Sequence, residues 1–144
     1  MIGHPYDQEL DHTYRHAGQQ DAMDFTDWTS VLKLSTMWSF ELIRDLSIRT
    51  MAKLPGVSPV EKAALANEHQ IDEWLLPALN ELAQREEPIS INEAHRLGWE
   101  MALQIAAVRE SFVAWNEKKA IGPRGARTQI DFTGRIQEIL FNAN

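Results

Sequence analysis

The chain has 144 residues, 44% of them hydrophobic, and 14 Lys and Arg against 21 Asp and Glu give a formal net charge of −7. This acidic balance argues against a general nucleic-acid binder, because neutralising phosphates requires clustered positive charge. The sequence has no cysteine, no apolar run near the ~18 residues of a membrane span and no signal-peptide core. It therefore predicts an intracellular protein, in the cytoplasm or nucleus, without disulfides, thiolate chemistry or a membrane partner.

Residues 1–25 are polar and lack apolar periodicity, which predicts a flexible N-terminal arm before a helical domain over residues 26–144. His12 and His16 are spaced i, i+4, so on a helix they would share one face, as zinc ligands do. Nothing nearby favours a helix, however, and no metal site is predicted.

Two helices are predicted between residues 26 and 54. The first is short and largely buried, from Trp28 to Trp38, and Ser39 follows as a break and N-cap. The second ends before Pro55-Gly56 and is marked by apolar residues at Leu42, Ile43, Leu46, Met51 and Leu54.

The next helix has the strongest start signal in the chain. Ser58 is a good N-cap, Pro59 suits the first helical position, Glu61 completes a capping box, and the helix runs to about His69. Pro77 inside a further helix would cost ~3 kcal/mol. The following helix is therefore expected to begin near Trp74, which leaves Pro77 in its first turn. Its buried stripe is Leu75, Leu76, Leu79 and Leu82.

Pro88 predicts a stop, and Ser90 with Glu93 predicts a second capping box. A long helix is then expected over residues 91–117, with Gly98 inside it at a close helix contact. Its apolar face is Leu97, Met101, Ile105, Val108, Phe112 and Trp115. Two glycines and a proline break the pattern in residues 118–127. A final helix carries Phe132, Ile136, Ile139 and Leu140. No segment alternates with period two, so the sequence predicts an all-α fold of about six helices packed as antiparallel hairpins.

Residues 26–112 resemble the helical region that follows the BTB domain in fungal BTB/POZ proteins. The matching features, in order, are VLKLS-x-x-W-x-F-x-x-I-R at 31–44, SPVEK at 58–62, EWLLPAL at 73–79, REEPIS at 85–90, EA-x-x-LGW at 93–99 and VRE at 108–110. In position this region is comparable to the BACK domain of animal BTB proteins. The resemblance implies a helical scaffold that positions a BTB dimer or presents a groove to another protein.

The sequence departs from that family because the BTB domain itself, with its strands and dimerisation surface, is absent. In animal relatives, BTB and BACK regions together help to engage a cullin-type ubiquitin ligase scaffold. For this chain the resemblance implies at most a fragment of such an adaptor, by analogy of fold.

The candidate interface residues are two tryptophans and two arginines. Trp38 and Trp74 fall in apolar stripes and are predicted core residues, whereas Trp99 is offset from the buried face of its helix. Trp28, at the domain edge, is the best candidate for a surface covered by a partner. Arg124 and Arg127 flank a glycine in a loop that suggests a basic patch for an acidic partner or phosphate. A solvated flexible loop is the interpretation that the sequence favours.

Two functional interpretations remain open. The sequence has no G-x-S-x-G, P-loop or HExxH motif, so no catalytic, cofactor or metal site is predicted. This favours a non-catalytic interaction module that binds protein partners or itself. The alternative is a small helical enzyme or ligand-binding bundle with a site built from dispersed residues such as His69, His95 and Glu110. That alternative predicts a buried polar pocket.

Overall fold

The computed structural model describes residues 22–118 and 127–142. All regular structure in these residues is helical and no strand is present, which confirms the all-α class with seven α-helices instead of about six. The chain divides between Pro55 and Gly56 into two compact units. The predicted domain bounds, 26–144, stay a prediction. Within the described ranges, no helix is long and apolar enough to cross a membrane.

The first unit is a helical hairpin of α1 (Phe25–Met37) and α2 (Glu41–Met51). α1 begins at a capping box that the sequence reading missed: the backbone N–H of Asp27 donates to the Asp24 carboxylate at 2.9 Å, and the Asp24 N–H donates to Asp27 at 3.0 Å. The predicted N-cap at Ser39 is wrong. Phe40 holds the N-cap position of α2 without a side-chain bond, and Ser39 instead makes the turn with a φ of 56°.

Five α-helices lie in the part of the second unit that the structure describes. They are α3 (Pro59–His69), α4 (Asp72–Gln84), α5 (Ile91–Leu97), α6 (Trp99–Lys118) and α7 (Thr133–Ile136). A 3₁₀ turn (Arg127–Gln129) precedes α7, and a π-helical turn (Gln137–Phe141) continues it. α3 packs on α4 and α5, α6 packs on the same two helices, and α7 packs on α4 and α6.

The start signals of the second unit are mostly confirmed. Ser58 caps α3, with its Oγ accepting from the Glu61 N–H at 3.2 Å, and the predicted end at His69 is also right. The predicted capping box there is incomplete, because the Glu61 carboxylate pairs with Arg96 at 2.7 Å. At α5 the Ser90–Glu93 capping box is complete.

The predicted entry of α4 is wrong. The helix begins at Asp72, so Pro77 lies in its interior and cannot donate to the carbonyl of Glu73. Pro77 is exposed, whereas Leu79 and Leu82 on the same helix are fully buried. Burial of the leucines therefore outweighs the loss of one hydrogen bond on the solvent side.

The predicted long helix is broken at Gly98. α5 ends at Leu97 and α6 begins at Trp99, because Gly98 has a φ of +88° that L side chains rarely adopt. A Cβ at Gly98 would meet nothing within 4 Å, so the predicted close helix contact is wrong and the glycine serves the backbone turn.

The core of the second unit gathers the apolar faces of α3 to α7. The predicted stripe of the long helix is buried at Leu97 on α5 and at Met101, Ile105 and Val108 on α6, and Phe112 is partly buried. Trp115 lies outside the described side chains. Phe132 and Ile136 of the predicted final helix are buried, while Leu75 and Leu76 of α4 are only partly so.

Candidate interaction surface

The interior of the α1–α2 hairpin takes up few large side chains. Leu32, Ile48 and Met51 are the large residues that are buried there, and two serines are buried with them. Ser35 Oγ donates to the Leu32 carbonyl at 3.0 Å and Ser47 Oγ donates to the Ile43 carbonyl at 2.7 Å. The small serines satisfy their hydroxyls within their own helices and contribute little apolar area to the hairpin interior.

Around the turn of the hairpin, the large apolar side chains are exposed. We refer to these residues as the hairpin patch; their side chains are 42% to 87% exposed, and they are Leu34, Met37, Trp38, Phe40, Leu42, Ile43 and Leu46. The rings of Trp38 and Phe40 pack edge to face with centroids 6.0 Å apart. The patch therefore includes an ordered aromatic pair at the turn.

Helical geometry places Leu34 and Leu46 of the patch on the sides of their helices that face away from the buried Leu32 and Ile48. At about 100° per residue, Leu34 lies about 200° around α1 from the buried Leu32, and Leu46 lies about 200° around α2 from the buried Ile48. Both helices of the hairpin are therefore apolar on two sides near the turn. The inner side packs against the other helix, and the outer side meets solvent.

The exposed apolar residues of α2 adjoin an ordered row of charges. Glu41, Asp45, Arg49 and Lys53 follow one another at intervals of four residues, and all four are exposed. The first two residues of this charged row are acidic and the last two are basic. The row lies next to the exposed Leu42 and Leu46.

The predicted core position of Trp38 is wrong. Trp38 is 58% exposed as the C-cap of α1, four residues beyond Leu34 on the outer side. Trp74 is half-buried. The interface candidate Trp28 is also half-buried on α1 and lies outside the patch, and its role at an interface stays a prediction.

Trp99 lies in the second unit, 54% exposed at the start of α6. The His95 ring meets it edge to face, with centroids 4.9 Å apart. Trp99 also borders a cavity of about 380 Å³ together with Leu75 and Phe141. The polar side chains of Asn67 and Glu100 line the same cavity.

Of the two loop arginines, Arg124 lies outside the described residues. Arg127 is half-buried: its Nη2 donates to the Arg109 carbonyl at 3.0 Å, and its guanidinium stacks 5.4 Å from the centre of the Phe112 ring. Its Nε is buried without a partner among the described atoms. The side chain is thus engaged within the second unit.

Arg109 is a structural arginine that the sequence reading did not single out. It is 8% exposed and donates to the carbonyls of Leu82 at 2.7 Å and Glu86 at 3.1 Å, where α4 ends. Burial, and then the nearby charges of Arg127 and Arg85, lower the pKa of Arg109.

The dispersed polar site of the alternative interpretation finds little support in geometry. His95 and Glu110 are exposed, and His69 is half-buried on α3. In residues 22–118 and 127–142, no three His, Asp or Glu side chains lie close enough to hold a metal ion.

Comparison of the chain with protein-family models, with curated proteins and with solved structures finds no match. The resemblance to the helical region that follows a BTB domain therefore stays a prediction.

Proposed function

We propose that this chain is a non-catalytic protein–protein interaction module and that the hairpin patch is its contact surface. One observation carries the proposal: seven large apolar side chains within residues 34–46 are exposed on an ordered hairpin. If each offers about 200 Å² when fully exposed, they present on the order of 800 Å² together. The largest apolar patch on a typical monomer is ~300–600 Å², and one side of a standard protein interface is about 800 Å².

The resemblance noted in the sequence supports the same surface. The VLKLS-x-x-W-x-F-x-x-I-R pattern spans residues 31–44, and its Trp38, Phe40 and Ile43 all belong to the hairpin patch. By that analogy the module would act as a helical scaffold in a BTB-type adaptor of a ubiquitin ligase, beside a BTB domain or another protein.

The second candidate function is ligand binding at the cavity beside Trp99. Its volume of about 380 Å³ suits a small molecule, and it combines apolar side chains with two amides, of Asn67 and Gln104, and the Glu100 carboxylate. The described lining has no nucleophile paired with a base, so binding is better supported there than catalysis.

Site-specific photocrosslinking tests the proposed function. A benzophenone amino acid at position 42, on the patch, is compared with the same group at position 103 on α6, since Leu42 and Leu103 are both exposed leucines. In cells that express the chain, we expect defined adducts to protein from position 42. The substitution Trp38→Ser in the same chain should abolish these adducts. Position 103 should give only weak background labelling.

Equal labelling from both positions, or labelling at position 42 that survives Trp38→Ser, would refute the patch as the contact surface. Adducts of twice the chain mass would identify a second copy, whereas adducts of other masses would identify a different protein partner.

A further inference from the structure

We propose that the α2 side of the hairpin patch binds a second copy of this chain, with the two α2 helices antiparallel and centred at the level of Ser47. The inference rests on the proposed function, because it names the partner for the same surface. It is carried by the charge order along α2 and by the area of apolar side chain beside it.

The charges of α2, together with Lys53 just beyond its end, are complementary to themselves in one orientation only. In an antiparallel pair centred on residue 47, Glu41 lies opposite Lys53 of the second copy and Asp45 lies opposite Arg49 of the second copy. In this register alone, every charged residue of the exposed row lies opposite a residue of opposite charge. The twofold axis repeats each of these ion pairs, so each occurs twice in the dimer. A parallel arrangement in register would instead place like charges side by side.

The apolar residues fit the same arrangement. Leu42 and Leu46 form the i, i+4 ridge next to the charged row, with Leu42 87% exposed and Leu46 54% exposed. In the proposed register Leu46 lies one residue from the twofold axis, so the Leu46 side chains of the two copies lie next to each other. Leu42 lies opposite Ala52 of the second copy, which is also exposed.

The area of the α2 side predicts a weak dimer. Leu42 and Leu46, which face the second copy in this register, together expose on the order of 300 Å² at about 200 Å² for each full side chain. Two such surfaces bury about 600 Å² of apolar side chain, which lies in the range of weak complexes. We therefore expect association in the micromolar range, visible as a mass that rises with protein concentration.

Solution mass is measured by sedimentation equilibrium on the full chain from roughly 5 to 500 µM, a range that brackets a micromolar dimer. Two single variants reverse one charge each: Asp45→Arg and Arg49→Asp. In each variant alone, the opposing residues of the two copies carry the same sign, and the dissociation constant should rise at least ~10-fold.

The equimolar mixture of Asp45→Arg with Arg49→Asp is the decisive sample. In a mixed pair, both contacts between the copies are again of opposite sign, so the mixed dimer should recover to within ~3-fold of the original affinity. Within each chain of the mixture, residues 45 and 49 still carry the same sign, so an ion pair between them in one helix cannot form. A purely structural role for these charges therefore predicts no recovery. Helix content by circular dichroism confirms that both variants fold.

Leu42→Asp tests the apolar half of the contact, with Leu103→Asp as the matched control at another exposed leucine. The first should leave the protein monomeric throughout the range, and the second should not change the mass curve. A chain that is monomeric at all concentrations, or a mixture that fails to recover, overturns the inference. If position 42 then forms adducts with a different protein, the proposed function stands and the partner is that protein instead of a second copy.

Discussion

The hairpin and the second unit place their large apolar residues in opposite ways. In the second unit, Leu79, Leu82, Ile105 and Ile136 are fully buried in one core cluster. Among the exposed large apolar side chains of the described residues, eight of twelve lie in residues 23–46 of the hairpin. The second unit thus uses its apolar residues for its own packing. The hairpin has more large apolar side chains than its interior buries, and such an exposed apolar excess is typical of a binding surface.

Polar contacts differ in the same way. In the hairpin, the hydroxyls of Thr29, Ser30, Ser35, Thr36, Ser47 and Thr50 all donate to carbonyls three or four residues back in the same helix. In the second unit, Gln84 Nε2 donates to the Ile130 carbonyl and the Phe132 N–H donates to Asn80 Oδ1, both at 2.7 Å. These bonds join segments that are distant in sequence, so they stabilise tertiary structure as well as local helix.

The largest expected effect comes from replacing a leucine by alanine in the core of the second unit, compared with the same replacement on the hairpin patch. Leu79→Ala removes a side chain with no exposure from the core and should lower the free energy of unfolding by about 2–5 kcal/mol. Leu42→Ala removes one that is 87% exposed and should change it by less than ~0.5 kcal/mol. Urea unfolding followed by circular dichroism gives both values.

Measurement at low micromolar protein keeps dimer dissociation from contributing to the Leu42→Ala value. A cost of several kcal/mol for Leu42→Ala in dilute protein would mean that the patch packs within the chain, and the contrast between the two regions would be lost.

The features that could be predicted from the sequence are those encoded within one turn. Ser58 and the Ser90–Glu93 pair were correctly predicted as helix starts, because a cap depends on residues three positions apart. The core faces of α4 and α6 followed from apolar residues spaced three and four apart, such as Met101, Ile105 and Val108 on α6. The fold class followed from the same patterns.

What could not be predicted depends on contacts distant in sequence or on competition between them. Periodicity marks an apolar side without saying whether another element covers it, so Trp38 was wrongly placed in the core. The cost of Pro77 within a helix was weighed locally, whereas burial of Leu79 and Leu82 decided the outcome. Gly98 fits the helical pattern on both sides, and only its positive φ reveals the break.

Arg109 gives the next largest effect and probes the long-range bonds of the second unit. Arg109→Met keeps an apolar stem but removes the donors to the Leu82 and Glu86 carbonyls. We expect a loss of about 2 kcal/mol in the free energy of unfolding, because two acceptors at the end of α4 lose a charged donor. Thermal or urea unfolding of the purified variant measures it.

Two controls accompany this variant. Arg135→Met removes an arginine that is 44% exposed and paired only locally with Glu138, and it should cost less than ~1 kcal/mol. Thr50→Ala removes a local hydroxyl bond in the hairpin and should be close to neutral, since alanine favours helix. An Arg109→Met value no larger than the controls would show that the long-range bonds do not distinguish the units.

The smallest expected effect is a pH dependence centred on Glu93, which lies on α5 and pairs with Arg85 at the C-terminal end of α4. The Arg85 guanidinium donates to both carboxylate oxygens of Glu93 at 2.8 and 2.7 Å, and the Ser90 N–H donates at 2.8 Å. These bonds, that from Arg85 first, lower the pKa of Glu93 from 4.5 to about 2. The pair is partly exposed, so we expect it to contribute about 1 kcal/mol at neutral pH.

The sign of the dependence follows from the lowered pKa. The unfolded chain protonates Glu93 near pH 4.5 and the folded chain only near pH 2, so this contribution is complete above pH 4.5 and is lost as the pH falls from 4.5 to 2. Glu93→Gln should therefore be less stable than the original chain at pH 7, and the difference should shrink steadily over that window. Urea midpoints of both chains at several pH values measure it. A difference that stays constant down to pH 2 would mean that Glu93 acts through its capping geometry and not through its charge. The Arg85 contact would then stabilise the second unit no more than the local bonds stabilise the hairpin.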